Sequence, residues 1–362
     1  MFDCVLGLGQ GGSRIAASFQ ERFDIPAAYF NFAVVDFSKF MGRGIKHVIN
    51  TEGTGRDPNI GRKYAKEHRN KIASQISKFV ERVEKAKELK NVLVTVGGGG
   101  GSGCGFLTVI LPFLVKKKIN ILLIYTLPEK REKLPAKPNA LRVLNWIIEK
   151  YIKTGDISVM LVDNEFSANK YVSDSFRFGR INKVLPQAFN RFLKITNLYE
   201  RHRYIDFNTG YSALDFRELN RVLFYSKGFL DIRIFSLDDD SVRMEDNELR
   251  KTIRTSSLFV GSFDINTSKI SLVSIAIPER LRSSAMDKFV DRLLTIIGKM
   301  TRSPQIFNSS YYDKTIRKIT ANILLGGLVK SKSLDSLIRQ ATKDKELLDN
   351  KGEIEQLDLS EL

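Results

Sequence analysis

Residues 91–105 read NVLVTVGGGGGSGCG, an apolar run that ends in consecutive glycines. The segment Val92–Val96 is rich in β-branched residues and predicts a buried strand, while the apolar segment Phe106–Val115 predicts a helix. Because glycine has no Cβ, a loop of this kind can turn sharply and bring its N–H groups against a ligand. The helix that follows adds unpaired N–H donors and a positive dipole end, which suit phosphate. Such glycines are costly to order, so the stretch favours a phosphate-binding loop over a flexible turn.

A second glycine loop lies near the N-terminus. Gly7–Gly12 read GLGQGG, between a strand predicted at Phe2–Leu6 and a helix predicted to begin near Ser13. The spacing G-x-G-x-x-G is the fingerprint of dinucleotide-binding proteins, in which an acid after the second strand holds the ribose. Asp36 closes the predicted strand Phe32–Val35 and stands at that place. An NAD(P)-binding oxidoreductase of the Rossmann type is therefore one alternative that these residues leave open.

A third loop is predicted between these two. Thr51–Pro58 read TEGTGRDP and lead to GRK at residues 61–63, where a long charged helix is predicted. Gly53 and Gly55 permit a tight turn, and either Asp57 or Asn59 can cap the helix, with Pro58 near its first turn. An ordinary surface loop is the alternative for this segment taken alone.

Strands and helices alternate through the first 165 residues or so. This pattern predicts an α/β domain with a parallel sheet, covered by helices on both faces, whose ligands bind at the carboxyl ends of the strands. A long helix is predicted at Phe176–Glu200, although Pro186 lies inside it. Beyond residue 205, strands come with fewer helices and predict an α+β domain; one of these strands is predicted at Leu258–Asp264.

We therefore predict four parts. They are an α/β domain at residues 1–175, a central interdomain helix at 176–204, a smaller α+β domain at 205–330, and a C-terminal helical arm with an acidic tail at 331–362. The functions of the first and third parts are implied by the family resemblance described below.

Composition limits the class of protein. The chain has 362 residues and a net charge of +17, which favours anionic partners such as nucleotide, nucleic acid or an acidic protein surface. Direct DNA binding is one such class, but the sequence has neither zinc-finger spacing nor a clear helix-turn-helix. Two cysteines fit a reducing cytoplasm, and three separated histidines do not predict a metal site. No secretory signal is visible, and the longest apolar run is far shorter than the ~20 residues of a membrane helix.

Taken together, the three loops resemble those of the tubulin/FtsZ superfamily of GTP-driven filament proteins. GGGGGSG at residues 97–103 is similar to the signature GGGTGSG, with Gly100 in place of threonine. GLGQGGSR at residues 7–14 resembles the first phosphate loop of the family. Gly53–Lys63 resembles its GxGxNPxxGRK loop, with Asp57 in place of asparagine. The resemblance covers most of residues 1–225 and implies the fold of that superfamily.

The resemblance also implies which side chains hold GTP or GDP. Asn164 stands where the family reads the guanine edge, and Phe178 and Asn182 of the FGRIN run stand where it stacks on and hydrogen-bonds the base. Ribose contacts fall near Asn139 and Arg142. Either Ser102 or Asp36 would reach Mg²⁺. The nucleotide-binding residues implied in this way are Gly9, Gln10, Gly11, Arg14, Asp36, Thr54, Gly55, Gly98, Gly99, Gly100, Gly101, Ser102, Asn139, Arg142, Asn164, Phe178 and Asn182.

Two acids are the implied catalytic residues. Asp215 and Glu218 lie three residues apart at the start of a predicted helix and so share one face. The run Asp215–Glu218 resembles the loop that the family uses to act on the nucleotide of the next subunit, although Ala213 replaces a preceding asparagine. The alternative is a helix N-terminus that is simply enriched in acids. The resemblance implies a GTPase whose hydrolysis is coupled to polymerisation.

Within the superfamily, the chain resembles the TubZ-type partition proteins of plasmids and phages. That resemblance implies a head-to-tail filament, a small DNA-binding adaptor at the C-terminal arm, indirect contact with DNA, and no membrane partner. An FtsZ-like cell-division GTPase is the alternative, but the tail ends QLDLSEL and lacks the proline-containing FtsZ peptide.

Overall fold

The fold was analysed in a computed structural model, which describes residues 1–38, 40–49, 53–132, 136–171, 177–197, 205–207, 213–261, 263–329 and 331–349. The chain forms two compact units. One contains residues 2–186 together with 333–362, and the other contains residues 187–332 with Met1.

The first unit is built on a parallel sheet. Its strands are β1 (Cys4–Leu8), β2 (Ala27–Asn31), β3 (Ile45–Val48), β4 (Asn91–Gly97), β5 (Asn120–Leu127) and β6 (Ile157–Asp163). They lie in the order β3-β2-β1-β4-β5-β6, and every neighbouring pair is parallel. The central strands are buried along their whole length, which explains their continuous apolar sequence. The predicted parallel sheet is confirmed.

Helices connect these strands. They are α1 (Gly9–Phe23), α2 (Pro58–Glu67), α3 (Arg69–Ala86), α4 (Gly101–Lys116), α5 (Ala136–Ile147), α6 (Asn164–Tyr171) and α7 (Arg177–Thr196), and a π-helical turn at Ile148–Ile152 extends α5. The long charged helix predicted after residue 61 is two helices, because the backbone breaks at His68. Pro186 does not end α7, which runs through it from one compact unit into the other.

The second unit has a mixed sheet. Its strands are β7 (Ile205–Phe207), β8 (Phe229–Leu237), β9 (Ile270–Pro278), β10 (Gln305–Asp313) and β11 (Ile319–Leu328), in the order β8-β11-β9-β10-β7. Only the β9–β10 pair is parallel among the described pairs. Its helices are α8 (Phe216–Asn220), α9 (Asp246–Thr255) and α10 (Ser284–Thr301). The strand predicted at Leu258–Asp264 is wrong, since this segment forms bends between isolated bridges at Ser257 and Phe263.

The C-terminal helix α11 (Lys332–Asp349) confirms the predicted helical arm. From Ser333 onward it belongs to the first compact unit, and its Leu337 and Ala341 side chains are buried. Residues 350–362, the predicted acidic tail, lie outside the described residues. Among the residues that the structure describes, no helix is both long and apolar enough to cross a membrane.

A buried ion pair lies in the second unit, on β8. Arg233 Nη2 is 2.7 Å from Asp231 Oδ2, and both side chains are almost completely buried. Arg233 Nη1 also donates to the carbonyl oxygens of Ile253 and Arg254 at the end of α9, while Asp231 Oδ1 accepts from Ser257 Oγ. The pair therefore joins β8 to α9 and to the segment that follows it.

We expect Asp231→Ala to destabilise the chain by about 3–5 kcal/mol, because it leaves the Arg233 charge buried without its partner. Urea unfolding of this variant measures the change. Asp239→Ala is the matched control, since Asp239 pairs with Arg280 at the exposed surface. Its effect should be much smaller, and equal losses in the two variants would contradict the importance of the buried pair.

Candidate functional site

The first and second glycine loops touch each other directly. A Cβ on Gly9 would lie 2.7 Å from the backbone nitrogen of Gly103, and a Cβ on Gly103 would lie 2.7 Å from the carbonyl oxygen of Leu8. Thr95 of β4 adds to this contact, because its Oγ1 donates to the Gly12 carbonyl oxygen at 2.7 Å. The N-terminus of α1 is thus held against the N-terminus of α4.

The third loop also contacts the N-terminus of α4. A Cβ on Gly101 would lie 2.4 Å from the Asp57 carbonyl oxygen, and one on Gly61 would lie 2.2 Å from the Gly101 carbonyl oxygen. Thr54 Oγ1 and Ser102 Oγ are 3.3 Å apart, within hydrogen-bond distance. The structure therefore brings together all three loops that the sequence singled out.

Backbone donors converge at this meeting point. The helices α1 and α4 begin at Gly9 and Gly101, and the first four N–H groups of a helix have no partner within it. The positive dipole ends of both helices add to the attraction for an anion. Arg14 lies one turn into α1 with its side chain exposed. The Gly98 N–H is already used, since it donates to the Thr126 carbonyl oxygen at 3.0 Å.

Two buried side chains, those of Tyr125 and Cys104, contact the glycine run. A Cβ on Gly98 would lie 2.5 Å from the ring of Tyr125, and the Tyr125 hydroxyl donates to the Ala140 carbonyl oxygen of α5 at 2.8 Å. Cys104 Sγ donates to the Gly98 carbonyl oxygen at 3.3 Å. Burial raises the pKa of the Cys104 thiol to about 12, so the thiol keeps the proton that it donates. The sequence analysis missed both residues, because neither belongs to a recognisable motif.

The third loop contains positive φ angles, which its glycines allow. The φ angles of Gly53 and Gly55 are +75° and +54°, and that of Arg56 is +67°. For a residue with a Cβ, this left-handed conformation costs roughly 1–2 kcal/mol. Asp57 Oδ1 accepts from Asn59 N at 2.8 Å, with proline at the first helical position of α2. The predicted Asp57 cap is confirmed.

Asp36 lies in a different local structure from the predicted one. The strand predicted at Phe32–Val35 is wrong, because β2 ends at Asn31 and Asp36 stands in a 3₁₀ turn at Val34–Phe37. Asn31 ends the strand by turning its side chain onto the backbone, and its Oδ1 accepts from Phe32 N at 2.8 Å. Asp36 is exposed.

The helix α5 carries two buried donors. Asn139 is only 4% exposed, and in the described part of the chain its Nδ2 has no hydrogen-bond partner. Arg142 Nη1 is buried in the same way. Desolvation lowers the pKa of Arg142, and the charge of Asp57 opposes that effect, which shows that α5 lies near the third loop. Buried polar groups are almost always hydrogen-bonded, so these donors fit a ligand that supplies acceptors, such as the hydroxyls of a ribose.

The predicted base-contacting residues lie on two helices. Asn164 is the first residue of α6, directly after β6, and Asp163 Oδ1 caps this helix by accepting from the N–H groups of Glu165 and Phe166. Asn182 is a half-buried residue of α7. Phe178 also lies in α7, but its side chain is outside the described residues.

The two predicted catalytic acids form a capping box. Asp215 Oδ1 accepts from Glu218 N and Glu218 Oε2 accepts from Asp215 N, each at 2.8 Å. They lie in the second compact unit. One oxygen of each carboxylate makes these bonds, and among the described residues the other oxygen of each makes no hydrogen bond, which leaves it for a further contact.

Within the described part of the chain, no group of three or more His, Cys, Asp and Glu side chains is arranged to hold a metal ion.

Comparison with protein families matches the first compact unit. Residues 4–166 match the model described as "Tubulin/FtsZ family, GTPase domain", and this region contains the three converging loops, α5 and Asn164.

Comparison with curated proteins finds relatives along most of the chain. It is 24% identical over 346 residues to a "Tubulin-like protein CetZ" of Thermococcus kodakarensis, covering 93% of this chain and 85% of the relative. It is also 24% identical over 312 residues to a "Tubulin-like protein TubZ" of Bacillus cereus, covering 78% of this chain and 67% of the relative.

Solved structures show the same fold. A GTPγS-form protofilament of TubZ from Bacillus thuringiensis serovar israelensis has a TM-score of 0.78 and 16% identity, covering 96% of this chain and 92% of that chain. A GTPγS-bound protofilament of CetZ2 from Haloferax volcanii has a TM-score of 0.73 and 20% identity, covering 96% and 100%. The predicted α/β fold of the tubulin/FtsZ type is confirmed.

We expect Gly61→Ala to destabilise the chain by about 1–3 kcal/mol, because the new Cβ meets only backbone atoms at the contact between α2 and α4. Thermal unfolding with and without GTP measures this effect. Gly11→Ala is the control, since nothing lies within 4 Å of a Cβ at Gly11. A Gly61→Ala variant as stable as this control would contradict the close packing of the loops.

Proposed function

We propose that the chain is a GTP-hydrolysing, polymerising filament protein whose hydrolysis is completed by acids of the next subunit. The match of residues 4–166 to the GTPase-domain model of the Tubulin/FtsZ family supports this proposal. The observation that carries the nucleotide site is the convergence of three glycine loops beside the buried donors of Asn139 and Arg142.

The triphosphate lies on the converging backbone donors. The N–H groups are supplied by Gly9–Gly11, Thr54–Gly55 and Gly99–Ser102, at the two helix N-termini and in the third loop, where the helix dipoles favour an anion. The hydroxyl of Ser102 or the carboxylate of Asp36 supplies an oxygen ligand to Mg²⁺ or its waters. Bound Mg²⁺ neutralises part of the phosphate charge.

The guanosine part is held by side chains. Asn139 and Arg142 donate to the ribose oxygens, which gives their buried N–H groups the partners that the protein does not provide. Asn164 and Asn182 hydrogen-bond the guanine edge, with Phe178 against the ring. Adenine would leave these amides unpaired, at about 1–3 kcal/mol for each lost bond.

Hydrolysis depends on the next subunit. The capping box fixes Asp215 and Glu218 side by side, and their remaining oxygens polarise and orient the attacking water of a neighbour's nucleotide. Carboxylates near a triphosphate repel it, so supplying them from another molecule lets GTP bind first and delays its cleavage until assembly. A head-to-tail contact of this kind generates an open filament. The protofilaments of the TubZ and CetZ2 structures support this arrangement.

The role of the filament is segregation of plasmid or phage DNA. TubZ is one of the curated relatives, and α11 with the acidic residues beyond it offers a docking segment for a small basic DNA-binding adaptor, so that contact with DNA is indirect. Cys4 and Cys104 are both buried free thiols, which fits the reducing cytoplasm.

A dinucleotide-dependent oxidoreductase is the weaker candidate. The strand order of the first unit is also that of the Rossmann fold, so topology alone does not separate the two. The dinucleotide reading gives no role to the contacts of Gly61 and Gly101 or to the free donors of α5.

We expect GTP, but not GDP, ATP or NAD, to produce assembly that right-angle light scattering detects. Hydrolysis per molecule should rise with protein concentration, because the site is completed by a second copy. GTP hydrolysis that is equally fast per molecule in dilute and concentrated solution would overturn the shared site. Indifference to GTP would overturn the proposed function.

We expect Glu218→Gln to bind GTP and polymerise but to release phosphate about 100-fold more slowly or worse. Glutamine keeps an oxygen that accepts from Asp215 N, so the helix cap is retained and only the charge is removed. Phosphate release and filament lifetime are the measurements. Glu248→Gln, on the exposed first turn of α9, is the control. Unchanged turnover in Glu218→Gln would remove this residue from catalysis.

A further inference from the structure

A buried ion pair fixes the C-terminal helix to the first compact unit. Lys137 Nζ of α5 lies 3.1 Å from Asp344 Oδ2 of α11, and the two side chains are only 7% and 15% exposed. Lysine is seldom so fully buried unless it is paired. The two residues lie 207 positions apart in the chain, so no local preference brings them together.

Lys137 also contacts the segment between β5 and α5. Its Nζ donates to the carbonyl oxygen of Lys130 at 3.1 Å. Lys130 is in turn bound to Glu165 of α6, through its N–H at 3.1 Å and its ammonium group at 3.0 Å. A chain of direct polar contacts therefore runs from Asp344 on α11 through α5 to α6.

These contacts lie next to the residues of the proposed nucleoside site. Asn139 and Arg142 follow Lys137 on α5, and Asn164 immediately precedes Glu165 on α6. Ala136 borders the glycine run, since a Cβ on Gly99 would lie 3.1 Å from its Cβ. The buried lysine thus sits where the ribose-binding helix, the base-reading helix and the phosphate loop meet.

We propose that Lys137 and Asp344 are positioning residues through which the C-terminal helix sets the nucleoside site. When α11 is docked, the ion pair and the Lys130 carbonyl hold α5 and α6 in the arrangement that binds guanosine. Removing Asp344 leaves an ammonium group buried without its counter-charge, which is strongly unfavourable, so α5 must move to solvate it. This inference rests on the proposed nucleotide contacts of Asn139, Arg142 and Asn164.

Coupling of this kind acts in both directions. If docking of α11 strengthens nucleotide binding, nucleotide binding must strengthen docking of α11 by the same factor. Because α11 belongs to the segment proposed to bind the adaptor, a partner that pulls α11 away from the first compact unit would weaken nucleotide binding. The docking of α11 then depends on whether nucleotide is bound, and a partner that binds the C-terminal tail can respond to that difference.

The first test is the affinity for GTP and for GDP, measured by calorimetry on the full chain below the concentration for assembly. We expect Asp344→Asn to weaken both on the order of 5–150-fold, the usual range of coupling between sites. Glu346→Gln is the matched control, because it removes one negative charge from an exposed position of α11. It should bind as the wild-type chain does. Lys137→Met combined with Asp344→Asn should lose less than the sum of the two single losses, since both variants break the same pair.

The second test is hydrogen exchange of the α11 backbone, which an effect on global stability would not reproduce. GTP should increase protection of the amides from Leu337 to Ala341 in the wild-type chain and much less in Asp344→Asn. If amide protection of α11 in the wild-type chain did not change with GTP, the inference would be overturned. An Asp344→Asn variant with wild-type nucleotide affinity would overturn it as well. A wild-type chain that binds neither GTP nor GDP would overturn the proposed function and this inference with it.

Discussion

The close approach of backbone to backbone at the ends of β1 and β4 is the constraint on which the site depends. Gly9, Gly61, Gly101 and Gly103 each face another main chain at a distance where a Cβ would collide with it. Their contacts bring the N-termini of α1 and α4 together with the third loop. A phosphate group bound there, as proposed, would meet donors from three segments at once, and no side chain would have to be ordered to bind it. The entropic penalty of ordering so many glycines is offset by that convergence.

The sequence predicts those parts of the fold that are encoded locally. The glycine loops, the parallel sheet, the Asp57 cap and the helical arm all follow from short patterns whose physical causes lie within a few residues. Prediction from the sequence fails where tertiary packing determines the local structure. The apolar run at Leu258–Asp264 has strand-like residues but pairs only through isolated bridges, and Pro186 lies inside an unbroken helix. A proline removes one hydrogen bond, and the buried neighbours of Pro186 on α7 stabilise the helix around it.

The candidate site divides in the same way. Its phosphate-binding part is encoded in three motifs, whereas its supporting residues, Tyr125, Cys104 and Lys137, stand outside any motif. Their roles come from what surrounds them in the folded chain, namely the Gly98 carbonyl oxygen for the first two and a residue 207 positions away for Lys137. From the sequence alone, such residues cannot be distinguished from ordinary core or surface residues. Residue type at a motif position therefore identifies the ligand, while the residues that hold the motif in place require the structure.

Asp215 and Glu218 show that a structural and a catalytic reading of the same residues need not compete. Acids at a helix N-terminus are explained by capping alone, and the capping box is present. However, a carboxylate has two oxygens, and each acid uses one of them within the box. The box therefore fixes the direction of the second oxygen, which a mobile surface acid would not do. Under the proposed function, preorganisation of this kind would reduce the entropy lost when the acids meet a neighbour's nucleotide, so a cap that stabilises α8 is compatible with catalysis by the same pair.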